Sequence, residues 1–213
     1  MSTYLFDFDG TLVDSMPYYV RAMLKILDEH QIPYGEDIIR TITPLGTMGT
    51  AQYFKDLGVY LTTEEIIHRM GEYAVEAYWY HIPAKEYVID ALRALKARGD
   101  SLNVLTASPH ITLDKCLMRL GMWDLFDNVW SCDDFGTTKA DPQIYRDAAA
   151  RLGQGLQDVM FCDDNLGACT TAKDAGMSVC GVYDLSFKDD EGKIRAVADY
   201  YIKDFSEILE LEW

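Results

Sequence analysis

Two aspartates separated by one residue, Asp7 and Asp9, follow the apolar run Tyr4-Leu5-Phe6 and lead into Gly10-Thr11-Leu12-Val13-Asp14-Ser15. Alternate residues of a strand share a face, so two such carboxylates repel one another at a strand end unless a cation or a shared proton accommodates them. A hard divalent cation such as Mg²⁺ takes oxygen ligands, keeps several waters and often shares its shell with a substrate phosphate. Gly10 allows the sharp turn and the close backbone approach that such a site needs, and Thr11 adds a hydroxyl and a backbone N–H. The same residues also suit a plain strand ending in an Asp-Gly turn, so the segment needs partners elsewhere in the chain before it signifies chemistry.

Three later segments offer those partners. Leu102-Asn103-Val104-Leu105 is a second apolar run, and it ends in Thr106-Ala107-Ser108, where hydroxyls and N–H groups can bind phosphate oxygens. Thr138-Lys139-Ala140-Asp141-Pro142 places a lysine just before a predicted helix that Asp141 can cap and Pro142 can open. Val159-Met160-Phe161-Cys162 is a third apolar run, and it terminates in Asp163-Asp164-Asn165. Adjacent carboxylates at the end of a buried strand are costly without a counter-ion. Taken singly, the Thr-Ala-Ser turn suits any strand-to-loop junction and the lysine suits any solvated surface.

In this order the segments resemble the four motifs of the haloacid dehalogenase superfamily of phosphohydrolases, and the likeness spans nearly the whole chain. Asp7-Phe8-Asp9-Gly10-Thr11 is similar to the first motif, Thr106 to the second, Lys139 to the third and Asp163-Asp164 to the fourth. The resemblance implies that Asp7 is a nucleophile forming an aspartyl phosphate and that Asp9 is the general acid and base. It implies that Mg²⁺ is held by Asp7, the Asp9 backbone carbonyl and Asp164, with Asp163 as a further or water-mediated ligand. Lys139 would bridge the nucleophile and a phosphate oxygen, while Thr106 and the Ala107 N–H complete the phosphate cradle. One departure is Asp163, which stands where many relatives have glycine; another is Ala168, where some carry a further aspartate. The division of metal binding between Asp163 and Asp164 is therefore open.

The elements that must position these residues alternate. Apolar strand patterns at 3–8, 102–107, 128–131, 158–162, 178–182 and 200–202 are separated by helical patterns at 86–98, 111–120, 142–152, 166–175 and 204–210. That alternation predicts an α/β fold, a Rossmann-like doubly wound parallel sheet, and near-continuous apolar strands suit a sheet covered on both faces. Ligands of such sheets bind beyond the carboxyl ends of the strands, where all four motifs fall.

The interval between the first two strands breaks the alternation and reads as helical. Met16, Tyr19, Val20, Met23, Leu24 and Leu27 recur at helical spacing, as do Ile66, Ile67, Met70, Ala74, Ala77 and Tyr78. The expected organisation is a core of residues 1–15 and 84–213 with a helical cap at 16–83. The cap's position resembles the superfamily class that acts on small phosphorylated molecules. Within it, Thr43-Pro44-Leu45-Gly46-Thr47-Met48-Gly49-Thr50, and Gly46 and Thr47 in particular, are the candidates for substrate specificity, although the segment also reads as a helix connector. Aromatics such as Tyr18, Tyr19, Tyr53, Tyr78 and Trp79 can line a pocket or simply pack. The histidines are scattered, against a histidine metal site; His110, just after the second motif, could face substrate or simply sit on the surface.

Composition narrows the partners. A formal charge of −16 over 213 residues argues against nucleic acid and anionic membranes, which call for clustered Lys and Arg. Five cysteines without Cys-x-x-Cys spacing suggest neither a disulfide framework nor a zinc site, and point to a reducing cytoplasm. No leader or membrane-spanning pattern is expected, since no apolar run approaches the roughly 20 residues of a span. The expectation is a cytoplasmic Mg²⁺-dependent phosphatase acting on a small phosphorylated metabolite, as a monomer or weak homo-oligomer. Relatives that are sugar-phosphate mutases of the β-phosphoglucomutase type usually carry a histidine shortly after the first motif, where this chain has Tyr18 and Tyr19. Phosphonate hydrolases use a cap lysine, for which only Lys25 and Lys55 are candidates, and dehalogenases typically lack the second aspartate that Asp9 supplies. A non-catalytic phosphate-binding regulator is the alternative from a different class.

Overall fold

Six apolar runs become six parallel strands in the computed structural model, which describes residues 1–42 and 45–213. They are β1 (Thr3–Phe6), β2 (Ser101–Thr106), β3 (Asn128–Ser131), β4 (Val159–Asp163), β5 (Ser178–Val182) and β6 (Tyr200–Ile202). Among the described residues they form one sheet in the order β3-β2-β1-β4-β5-β6. The order reverses at β1, where the chain winds first to one side and then to the other, and the gap between β1 and β4 is the switch point at which such sheets bind ligands. Phe6 is in register with Val104 on one side and with Cys162 on the other, so the ends of β1, β2 and β4 lie side by side.

Two compact units share the chain, Met1–Ser15 with Pro83–Trp213, and Met16–Ile82. The larger holds the sheet and the helices α5 (Val88–Ala97), α6 (His110–Arg119), α7 (Gln143–Leu152), α8 (Leu166–Ala175) and α9 (Glu191–Val197). Leu5, Leu105, Tyr145, Val159, Phe161, Ala172 and Val179 belong to one buried cluster between strands and helices. The inserted unit holds α1 (Met16–Glu29), α2 (Ile38–Ile42), α3 (Gly46–Asp56) and α4 (Thr63–Tyr80) around Leu24, Ile26, Leu27, Phe54, Ile66 and Met70. α4 starts at a reciprocal cap: the Glu65 N–H donates to Thr62 Oγ1 (3.2 Å) and the Thr62 N–H to Glu65 Oε2 (2.8 Å), which satisfies N–H groups that a helix start leaves unpaired.

Several boundaries differ from the sequence expectation for identifiable reasons. β1 stops at Phe6 instead of Phe8, because the Phe8 carbonyl accepts the N–H groups of Leu12 and Val13 and closes a turn. Asp7 still donates its N–H to the Cys162 carbonyl (2.9 Å), which ties it to β4. α5 starts at Val88, after Tyr87 takes a left-handed φ of 64°. The segment 204–210 forms 3₁₀ turns over Phe205–Glu210, opened by Asp204 accepting the Ser206 N–H. The inserted unit ends at Ile82, one residue before the expected boundary, since the Pro83 carbonyl accepts the Asp14 N–H and Ala84 bridges to Val13. Thr43 and Pro44 of the expected specificity segment lie outside the described residues, and the remainder is helical from Gly46 onward. All five cysteines are unpaired and buried. Among the described residues, no helix is long and apolar enough to cross a membrane.

Candidate active site

At the ends of β1 and β4 three buried carboxylates converge. One oxygen each of Asp7, Asp163 and Asp164 can be chosen so that all lie within 4.8 Å of one another. Lys139, from the loop before α7, enters the cluster and stands 2.7 Å from Asp7 Oδ1 and 2.7 Å from Asp163 Oδ2. Its backbone is fixed from below by the Tyr145 hydroxyl, which donates to the Lys139 carbonyl (3.0 Å). The other oxygen of Asp163 accepts the Asn165 N–H (2.7 Å), and the Asn165 side chain caps α8 at the Ala168 N–H. Asp164 accepts the Thr11 hydroxyl on Oδ1 (2.9 Å), a contact joining residues far apart in the chain.

Gly10 is required at its position. Its φ is +76°, and a Cβ there would lie 2.7 Å from Asp164 Cγ, inside van der Waals contact, so only a bare backbone lets the turn of the first motif close over the fourth.

The electrostatics of the cluster leave it short of positive charge. Burial alone would lower the Lys139 ammonium, but the charges of Asp163 and Asp7 outweigh it and hold the group well above the ordinary lysine value. Burial raises Asp163 to about 6 despite the opposing pull of Lys139, with Asp7 pushing the same way. Asp164 is raised well above the usual carboxylate range by burial, then by the charges of Asp163 and Asp7, against the Thr11 hydrogen bond. With all three acids ionised, one ammonium leaves two negative charges unbalanced, and the donors are all hard oxygens. That set suits a divalent cation of the Mg²⁺ kind.

Asp9 stands apart from this cluster. The carboxylates of Asp7 and Asp9 do not share a strand face, because β1 has ended before either is reached. The Asp9 side chain instead accepts the Ser108 hydroxyl. Thr106 closes β2 with its side chain buried, and its Oγ1 accepts the Ser108 N–H (3.1 Å); Ala107 between them is exposed. The turn after β2 therefore serves two purposes, a hydroxyl at the strand end and a donor to Asp9.

The other candidates make contacts of their own. His110 donates or accepts at both ring nitrogens, with Asp114 Oδ1 at 2.7 Å and Asp134 Oδ2 at 2.8 Å; these hydrogen bonds raise its pKa. Gly46 and Thr47 belong to the inserted unit, where Thr47 Oγ1 lies 3.4 Å from the Tyr19 hydroxyl. Tyr78 is buried packing, and Lys25 is an exposed residue ion-paired with Glu76 at 3.0 Å. Sequence reading did not single out the pairing of Ser108 with Asp9, the hold of Thr11 on Asp164, or Tyr145 beneath Lys139. The first two join residues whose proximity only the sheet register reveals, while the third is local, Tyr145 standing on α7 just after Lys139.

Comparison with known proteins places this geometry in a family. The family model described as haloacid dehalogenase-like hydrolase matches residues 1–176. The pyrophosphatase PpaX of Bacillus pumilus is 26% identical over 99% of this chain and 96% of its own length. Hexitol phosphatase B of Escherichia coli is 27% identical over 81% of this chain and 79% of its own. Among solved structures, a Thermotoga maritima protein provisionally described as a beta-phosphoglucomutase superposes with a TM-score of 0.87 at 26% identity, covering 99% of this chain and 97% of that one.

Proposed function

Because the chain belongs to the haloacid dehalogenase-like hydrolases, we propose that it hydrolyses small phosphomonoesters with Mg²⁺ through an aspartyl phosphate on Asp7. The observation that carries this reading is the buried cluster of Asp7, Asp163 and Asp164 around a single lysine, since buried carboxylates without enough counter-charge are costly and a divalent cation relieves that cost. Asp7, Asp164 and the Asp9 carbonyl would hold the cation, with Asp163, both of whose oxygens are already engaged, acting as a further ligand or through water. When bound, the cation offsets the repulsion between carboxylate and phosphate and stabilises charge on the transferring oxygens.

The chain's own residues do the rest. Lys139 fixes the Asp7 carboxylate through Oδ1 and presents its charge to the incoming phosphate. Asp7 attacks phosphorus, a new O–P bond forms and the bond to the leaving oxygen breaks, while Asp9 gives that oxygen its proton. Asp9 then takes a proton from water as the water attacks the phosphorus of the aspartyl phosphate, which releases phosphate and restores Asp7. Ser108 keeps the Asp9 carboxylate directed for both transfers, and Thr106 with the Ala107 N–H receives phosphate oxygens.

Residues 16–82 act as the cap, and Gly46 and Thr47 take part in choosing the substrate. The names of the relatives support a small phosphorylated substrate, a pyrophosphate or a hexitol phosphate among them. Hydrolysis is preferred to mutase transfer because Tyr18 and Tyr19 stand where mutases place a histidine, and the exposed, ion-paired Lys25 lacks the desolvation that a Schiff-base lysine needs. The test is hydrolysis of para-nitrophenyl phosphate in Mg²⁺ and in EDTA, followed by kcat/KM across sugar phosphates, phosphoglycolate, nucleoside monophosphates and pyrophosphate. Equal turnover in EDTA would contradict it.

A further inference from the structure

Lys85 lies where the chain re-enters the larger unit, and nothing in the reaction above uses it. Its backbone N–H donates to the Leu12 carbonyl (3.0 Å), next to the antiparallel bridge between Ala84 and Val13. Its ammonium, only 20% exposed, reaches three oxygens: the Gly10 carbonyl at 2.6 Å, the Tyr183 carbonyl at 2.6 Å and Asp184 Oδ2 at 3.1 Å. An ammonium has three donors and no acceptor, so this cage satisfies it completely. The acceptors come from two separate places, the turn of the first motif and the residues following β5.

What Lys85 holds matters for the site. Gly10 packs so closely on Asp164 that no Cβ fits between them, and Thr11, the next residue, donates to Asp164 Oδ1. The position of the Gly10 peptide therefore sets the position of the Asp164 carboxylate on two sides. Asp184 is itself buried and fixed, its Oδ1 accepting the Ser186 N–H (2.8 Å), so Lys85 anchors the turn to a rigid point. It also supplies the counter-charge for a fourth buried carboxylate that would otherwise add to the repulsion around Asp164.

We propose that Lys85 is a positioning residue for the cation site, an ammonium latch that locks the Asp9-Gly10-Thr11 turn onto Asp164. The inference rests on the proposed Mg²⁺ site. Partners that orient a metal ligand typically change metal affinity by about 10–100-fold when removed, and the same range is expected here. Isothermal titration of Mg²⁺ into the full-length Lys85→Met protein should show that loss against wild type. In phosphatase assays kcat should fall at least as far as about tenfold, with substrate KM nearly unchanged. In Lys85→Ala, which opens the cage, added ethylammonium should recover part of both, whereas a side chain needed only for folding would not be replaced by a free amine.

Asp184→Asn leaves both carbonyl contacts and gives a milder shift in the same direction should the lysine variants fold poorly. Lys193→Met, at an exposed pair, is the control. Mg²⁺ affinity and kcat within twofold of wild type in Lys85→Met, or in Asp184→Asn where only that variant folds, would overturn the latch. Losses in the alanine variant that ethylammonium leaves unaltered would overturn it equally. A wild type that binds no Mg²⁺ would overturn the metal reading and the latch together, which separates the two failures.

Discussion

Mg²⁺ should stabilise this protein more as pH rises, because the cation relieves a cost that grows as the buried acids ionise. Asp163 shows the size of the effect. Its carboxyl moves from an ordinary 3.8 to about 6 in the fold, so the folded protein binds the proton more tightly than the unfolded chain. A group raised in this way contributes stability fully present below about 3.8 and lost as pH climbs through about 6. The total is about 3 kcal/mol at about 1.4 kcal/mol per pH unit, and a little under half of it falls between about pH 5 and about pH 7.5. Asp164, raised as well, adds in the same direction. At about 2–4 °C per kcal/mol for a chain of this size, the Asp163 share alone lowers the metal-free Tm by roughly 3–5 °C across that window. Metal ligands must be deprotonated to bind, so the increment in Tm between EDTA and saturating Mg²⁺ should widen over the same range. His110 also titrates, but it does so in both arms and cancels in the difference. Differential scanning calorimetry in paired buffers measures the increment directly. One that is flat or shrinks with rising pH would refute the argument.

Four substitutions extend the test. Asp164→Asn should raise the Tm of the metal-free protein, since it removes a buried charge held by one hydroxyl, and should abolish the Mg²⁺ increment; a retained increment would place the cation elsewhere. Asp9→Asn should lose roughly 10²–10⁴-fold in kcat while keeping the Mg²⁺ increment, because its side chain lies outside the carboxylate cluster; loss of the increment in calorimetry would count against that placement. Lys139→Met leaves Asp7 and Asp163 facing each other without a counter-charge, and urea denaturation should show a loss of about 3–5 kcal/mol in EDTA; a neutral outcome would mean that the acids share a proton instead. Ser108→Ala removes the hydroxyl donor to Asp9, worth about 1.5 kcal/mol, and should lower kcat by about tenfold with Mg²⁺ half-saturation unchanged; an unaltered kcat would remove Ser108 from the mechanism.

Much of the fold was legible because its strands are nearly unbroken apolar runs. Val159 to Cys162 suits a strand covered on both faces, and the parallel order that follows brings distant strand ends together. Asp7, Asp163 and Asp164 could thus be nominated as carboxylates after apolar runs, whereas Lys139 stood out only through the resemblance of the ordered segments to the family's motifs. The first turn was less legible: reading the strand on to Phe8 put Asp7 and Asp9 on one face, whereas the carbonyl of Phe8 accepts two N–H groups and closes the chain into a turn. Contacts made across the sheet left no local trace. Ser108 meets Asp9, and Thr11 meets Asp164, only because β1 lies between β2 and β4. Lys85 carries no local signal, since its cage of oxygens depends on where β5 ends.

The proposed chemistry requires that Asp7 carry the phosphoryl group. With para-nitrophenyl phosphate the leaving group departs without needing a proton, so Asp9→Asn should pass the first step and stall at the second. Rapid mixing with Mg²⁺ should release about one equivalent of nitrophenol per protein in a burst, and peptide mapping after acid quench should find phosphate on Asp7. Steady turnover with no burst, or a label on any other residue, would contradict the mechanism.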